Sequence, residues 1–187
     1  MGEVSPLLEI ERRVQQRAKD RSFDVGGDGG AEALRALIEE EIAAWRSEFA
    51  RGRRPFDLVD PAVVADRALR NLAGYGPLGP LLADDDVWEI CVNAPDAIFV
   101  KRHRGLSGYH DEVFHDDEHV IRTLTKLLDD AGSAHRKMDA AEGLQDAQLD
   151  DGARLHIVHG DVGRGGHVIV NIRKFTGVKR FSEHSSF

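Results

Sequence analysis

A chain of 187 residues, 41% hydrophobic and 31% charged, holds enough apolar material for one good core or for a small domain with a helical appendage. Its formal net charge of −8 argues against a protein that coats nucleic acid through bulk charge. The single cysteine, Cys91, lies in the apolar run VWEICVN and allows no disulfide within one chain, and no run is long enough to span a membrane or to form a signal peptide, so a cytoplasmic protein without membrane insertion is expected.

Residues 5–21 fit a helix. Ser5 stands in the cap position, Pro6 suits the first turn, and Leu7, Ile10, Val14 and Ala18 recur at helical spacing. The stripe is thin and its flanks are crowded with charge, so this helix needs a partner. Residues 22–30, SFDVGGDGG, read as a flexible glycine-rich link, which makes 1–30 one unit. A stronger helix follows over 31–51, with Leu34, Leu37, Ile38, Ile42, Trp45 and Phe49 in one stripe and Glu39, Glu40 and Glu41 mainly elsewhere. After a break at 52–59, Asp60 caps a third helix that has Pro61 first and Val63, Val64, Leu69 and Leu72 on its apolar side. Three amphipathic helices on short links most simply pack on one another, so 31–73 reads as a helical bundle segment. A membrane-surface role for the first helix through Arg12, Arg13, Arg17, Lys19 and Arg21 is weakened by Glu9, Glu11 and Asp20.

Composition changes at Gly74. After the glycine and proline punctuation of GYGPLGPLLADDD, VWEICVN reads as a nearly fully apolar strand, Ala94, Pro95 and Asp96 turn the chain, and AIFVKRH returns it as a hairpin. A third strand is expected over 108–114. Asp116 and Asp117 open a helix whose Val120, Ile121, Leu124, Leu127 and Leu128 face inward and which ends at Gly132. Residues 133–145 have no period and read as loop. Two more strands, near 153–159 and 167–175, flank a turn rich in glycine. The expected class is α+β: a three-helix segment, then a small domain over 74–175 with an antiparallel or mixed sheet and a helix packed on it. Residues 176–187 read as the start of a connection.

In the last hairpin, alternation puts Leu155 and Ile157 opposite Arg154, His156 and Val158, and puts Val168, Val170 and Ile172 opposite Ile169, Asn171, Arg173 and Phe175. If Arg154 pairs with Arg173, two like charges meet across one ladder at a cost in stability; a register shifted by one residue separates them to opposite faces. The facing register makes sense with an anion between them, phosphate being the usual guest of paired guanidinium forks. The plainer account is two solvated arginines on an open face.

The motifs converge on a family. GYGPLGPLLADDDVWEICVN, VFHDDEHVIRTLTKLLDDAG, DAQLDDGARLHI and VNIRKFTG, in that order over about 60–178, resemble the N-terminal domain of CpaF-type ATPases of tight-adherence (Flp) pili, within the type II/type IV secretion ATPase superfamily. The resemblance implies a PAS-like fold for the small α+β domain, and a cytoplasmic protein, peripheral at the inner face of the cell membrane, that forms a homo-hexamer and works with inner-membrane pilus platform proteins. It implies that ATP and Mg lie between this domain and a RecA-like motor, with Arg154 and Arg173 approaching the phosphates. Gln148 stands where the family pattern has arginine, and His159 and Gly160 where prolines are common. No G-x-x-x-x-G-K-[ST] occurs, because the glycine cluster GDVGRGGHV lacks the lysine and is a hairpin turn. The chain is therefore expected to be an N-terminal fragment or truncated paralogue, with no catalytic residue and no cofactor of its own, binding ATP weakly or not at all.

Two other classes compete. One is a free-standing protein-interaction module with no nucleotide role. The other is a metal-dependent sensor built on histidines: His115 and His119 are four apart at a helix start, and His156, His159 and His167 could cluster across the hairpin. No third ligand is fixed by spacing, so no metal is expected. Asp139 with Asp146, or Asp150 with Asp151, would suit an acid/base pair, but DDG between apolar strands is more simply a turn. His135, Arg136 and Lys137 form a basic spot on the expected loop.

Overall fold

The computed structural model describes residues 5–21, 29–131 and 143–175. The chain divides into two compact units, Met1–Gly79 and Pro80–Phe187. The link at 22–30, apart from its last two residues, the basic spot at His135–Lys137, Asp139, the helix stop at Gly132 and the connection at 176–187 lie outside the described residues.

Among the described residues the first unit holds three long helices, α1 (Pro6–Asp20), α2 (Gly30–Ala50) and α3 (Pro61–Ala73). Their shared core is Leu7, Ile10, Val14, Leu34, Leu37, Ile38, Ile42, Trp45, Leu58 and Ala68, so the thin stripe of α1 finds its partner in α2 and α3. Asp60 caps α3 as expected, its carboxylate accepting from Ala62 N at 3.0 Å and Val63 N at 3.2 Å. Ser5 does not: its side chain makes no cap bond, and α1 starts on Pro6 with the Ser5 carbonyl accepting from Glu9 N.

Three expected faces need correction. Glu41 points into the α1–α2 contact, 6% exposed, because Arg17 meets it there at 2.7 Å. On α3 the buried positions are Ala68 and Asn71, while Val63 stands exposed; Asn71 turns inward because its amide donates to the buried Glu11 carboxylate at 2.7 Å. Phe49, at the end of the α2 stripe, is exposed. An arginine fork ties the unit together: Arg54 donates to Glu9 at 2.7 and 2.9 Å and to Glu48 at 2.6 Å, with its guanidinium 4.1 Å from the Trp45 ring centre.

A short helix not expected from the punctuated sequence, α4, covers Leu78–Ala83. The second unit is α+β. Its strands are β1 (Val87–Ala94), β2 (Ala97–Arg102), β3 (Gly108–Tyr109), β4 (Leu144–Gln148), β5 (Arg154–Val158) and β6 (Ile169–Arg173), in one sheet of order β3-β2-β1-β6-β5-β4. Every pairing is antiparallel. The β1–β2 hairpin closes with Ala94 opposite Ala97, leaving Pro95 and Asp96 as the turn. β3 is shorter than the expected 108–114, and β4 is a strand the sequence reading did not assign, its first two residues falling in the expected loop; it is paired along its whole length with β5.

Helix α5 (Asp117–Asp130) is capped by Asp116, whose carboxylate accepts from His119 N at 2.8 Å. Val120, Leu124, Leu127 and Leu128 are buried as expected; Ile121 is exposed, and His119 and Thr123 take the inward positions. One face of the sheet contributes Ile90, Val92, Ile98, Val100, Leu155, Ile157, Val170 and Ile172, all buried. Asp117 fastens the start of α5 to the entry of β6, accepting from Val168 N at 3.0 Å and meeting His167 Nδ1 at 2.9 Å. Asp150-Asp151-Gly152 forms the β4–β5 turn, with Gly152 at φ +86° and the Asp151 carboxylate accepting from Ala153 N, so Asp151 serves the backbone. At Gly163 any Cβ would lie 2.3 Å from the His167 carbonyl oxygen, which is why the β5–β6 connection requires glycine there.

Candidate functional site

The face of the sheet opposite the apolar one is organised by its register. Partners across an antiparallel ladder share a face, and the pairings line up Lys101, Glu89, Arg173, Arg154 and Gln148 in one row across five strands. A second row holds Tyr109, Phe99, Cys91, Asn171, His156 and Asp146. Arg154 thus stands directly opposite Arg173, the register in which the two like charges face each other.

Between the rows lies an open depression of about 380 Å³ lined by Asp146, Arg154, Leu155, His156, Asn171 and Arg173. The arginines differ in what holds them. Arg173 Nε donates to Glu89 Oε1 at 2.9 Å, while its side chain stays 70% exposed. Arg154 is exposed and has no carboxylate partner among the described residues. His156 Nδ1 meets Asp146 Oδ1 at 2.5 Å on the far side of the depression.

Glu89 is the hinge of the arrangement. Only 2% exposed, it takes Arg173 Nε and Asn171 Nδ2 on one oxygen and pairs with Lys101 Nζ on the other. Burial pushes its carboxyl up, but Lys101, Asn171 and Arg173 outweigh that and hold it at about 2. It is therefore a carboxylate at every ordinary pH, and its charge is balanced by Lys101. The row as a whole carries two positive charges in excess.

The two arginines expected from the sequence are brought together. Glu89, Lys101 and Asn171 carry no site role in the sequence reading, and Asp146 enters it only as half of an acid/base pair with Asp139, whereas here it meets His156; the alternation of Glu89 and Cys91 within VWEICVN is the signal that marks a polar second face. The histidines do not form the imagined cluster: His156 pairs with Asp146, His167 with Asp117, and His159 is buried. His115 and His119 stack at 5.0 Å between ring centres, and among the described residues no group of three or more His, Cys, Asp or Glu side chains could hold a metal ion. His119 is buried against Phe114, and burial, with Arg122 and His115 adding to it, lowers it to about 4. No helix among the described residues is long and apolar enough to cross a membrane.

No family model matches the chain. Two relatives from Mycobacterium tuberculosis, from strains CDC 1551 / Oshkosh and H37Rv and each named "Putative conjugal transfer protein", are 36% identical over 94 residues. The match covers 49% of this chain and 26% of theirs, so the chain spans about a quarter of the length of these relatives. Among solved structures, the VirB11 ATPase from the Brucella suis type IV secretion system, crystallised with sulphate, is similar at 30% identity and a TM-score of 0.46, over 56% of this chain and 31% of its own. Half of this chain is thus similar in sequence to part of a conjugal transfer protein.

Proposed function

We propose that this chain is the N-terminal, nucleotide-clamping domain of a pilus-assembly or secretion ATPase of the CpaF type, and that it does not hydrolyse ATP alone. The observation that carries the reading is the Arg154–Arg173 pair, two exposed guanidinium groups set opposite each other on a polar sheet face. Like charges in that register oppose folding, and an anion between them reverses the sign. The similarity to conjugal transfer proteins supports a secretion role in kind.

In this reading the terminal phosphates of a Mg-bound ATP, cradled by a motor domain, reach the depression and draw the two domains together. Binding that exists only in the closed state shifts the population toward it, which gives the motor its stroke. The full assembly is a homo-hexamer at the inner face of the cell membrane, and the three-helix unit docks partner subunits such as the inner-membrane platform proteins. Its α2–α3 surface offers a groove of about 340 Å³ for that purpose, lined by Ile42, Ala43, Pro61, Ala62 and Ala65 together with the charged Arg35, Glu39, Arg46 and Asp66.

The second reading, an interaction module without nucleotide, is favoured by the Glu89 carboxylate that already engages Arg173. The two separate on ATP turnover by the motor-bearing protein. Arg154→Ala and Arg173→Ala each lower turnover about tenfold or more with folding intact under the clamp reading. Wild-type turnover in both variants leaves the interaction module standing instead.

A further inference from the structure

The two arginines are not equivalent, and the difference lies in the row that contains them. Arg173 is anchored at Nε, the inner nitrogen of the guanidinium, by a carboxylate that is itself buried and immobilised. A guanidinium held at Nε keeps both terminal Nη groups for another acceptor, and no bond from them to a described residue is found. A bare carboxylate beside a cation also cancels its attraction for an incoming anion. Here Lys101, on the strand beyond, pairs with the second oxygen of Glu89 and removes that penalty.

We propose that Glu89 is a positioning residue for the anion site: it sets Arg173 in a fixed pose toward the depression, and Lys101 neutralises Glu89 so that this support costs the site no positive charge. The proposal rests on the phosphate reading of the Arg154–Arg173 pair and adds a division of labour to it. Arg173 is the preset ligand, whose side-chain entropy is spent before the anion arrives. Arg154, with no carboxylate partner among the described residues, is the adaptable ligand that closes on it. Asn171 contributes to the support, its amide donating to Glu89 Oε1 at 3.0 Å and lying 3.2 Å from Cys91 Sγ.

Charge and positioning are separable by substitution. Glu89→Gln combined with Lys101→Met removes one negative and one positive charge, so the net charge of the row is unchanged while the carboxylate that grips Arg173 is gone. The experiment uses the whole chain, with two readouts: the order of the arginine Nε–H groups by NMR relaxation, and the affinity for pyrophosphate by titration. In the wild type, Arg173 Nε–H is ordered and Arg154 Nε–H is mobile. In the double variant Arg173 becomes as mobile as Arg154, and pyrophosphate affinity falls about tenfold. Lys101→Met alone leaves the Arg173 order in place but weakens affinity, because the unshared carboxylate then opposes the anion. Chemical-shift dispersion of the core residues confirms that each variant is folded; should the double variant not fold, the Lys101→Met result and the wild-type order carry the test.

An Arg173 Nε–H as mobile as that of Arg154 in the wild type overturns the proposal, as does an unchanged affinity in a folded double variant or in Lys101→Met. Absence of any pyrophosphate effect at Arg154 and Arg173 in the wild type is a different result: it removes the phosphate reading itself, and the positioning role falls with it.

Discussion

Arg154 and Arg173 face each other across the β5–β6 ladder, and of the two only Arg173 is met by a carboxylate among the described residues, that of Glu89. An antiparallel register places paired side chains close enough for like charges to repel, a cost of a few tenths to about 1 kcal/mol on an exposed face. The fold keeps that cost although a shift of one residue would abolish it. It is locked in because the same shift would turn Leu155, Ile157, Val170 and Ile172 out of the core, which costs far more.

The asymmetry predicts opposite effects on stability. Arg154→Ala relieves repulsion without leaving a charge unpaired, so the chain gains up to about 0.5 kcal/mol at low salt and less at high salt. Arg173→Ala takes a partner from a buried carboxylate and costs about 1–3 kcal/mol. Urea unfolding at two ionic strengths reads both. Equal destabilisation by the two substitutions contradicts this picture of the ladder.

Much of the ladder was legible in the sequence, and the reasons are local. The alternation of Leu155 and Ile157 against Arg154 and His156 fixes the faces, and the glycines of the connection fix where the chain reverses. Strand β4 was not legible, because Leu144 is exposed and Gln145 buried, the reverse of the usual polarity for a half-buried strand. On α3 the buried Asn71 is dictated by Glu11, sixty positions earlier in sequence, which no periodicity within the helix reveals. The support under Arg173 was hidden for a related reason: Glu89 sits in a run that reads as nearly fully apolar, and its role depends on partners from β2 and β6.

The buried His119 makes the second unit acid-sensitive. Its folded pKa of about 4 lies below the ordinary 6.5, so between those values the unfolded chain binds the extra proton. Stability is complete above pH 6.5 and declines as pH falls toward 4, by about 3 kcal/mol across the window. His119→Phe, which cannot take up a proton, removes that slope from the urea midpoint plotted against pH. An identical slope in the variant contradicts the assignment.

In the helical unit, Arg54 is the tie whose loss is felt most. It joins Glu9 on α1 to Glu48 on α2 through a forked set of bonds and covers the Trp45 ring. Arg54→Ala costs about 2 kcal/mol, and Arg54→Lys recovers less than half of it, because an ammonium cannot serve both carboxylates and the ring at once. Denaturant unfolding monitored by Trp45 fluorescence measures both variants; full recovery by lysine would show that charge alone matters.

The claim on which the functional reading stands is that an anion belongs between Arg154 and Arg173. Its most direct test is a pyrophosphate titration of the whole chain, followed by NMR at the Nε–H groups of both arginines. The account predicts that both signals move together along one saturating curve, with a Kd on the order of 1 mM that weakens with salt, and that Arg154→Ala abolishes the response at Arg173. Signals that stay still, or a response at Arg173 that survives the loss of Arg154, would contradict it.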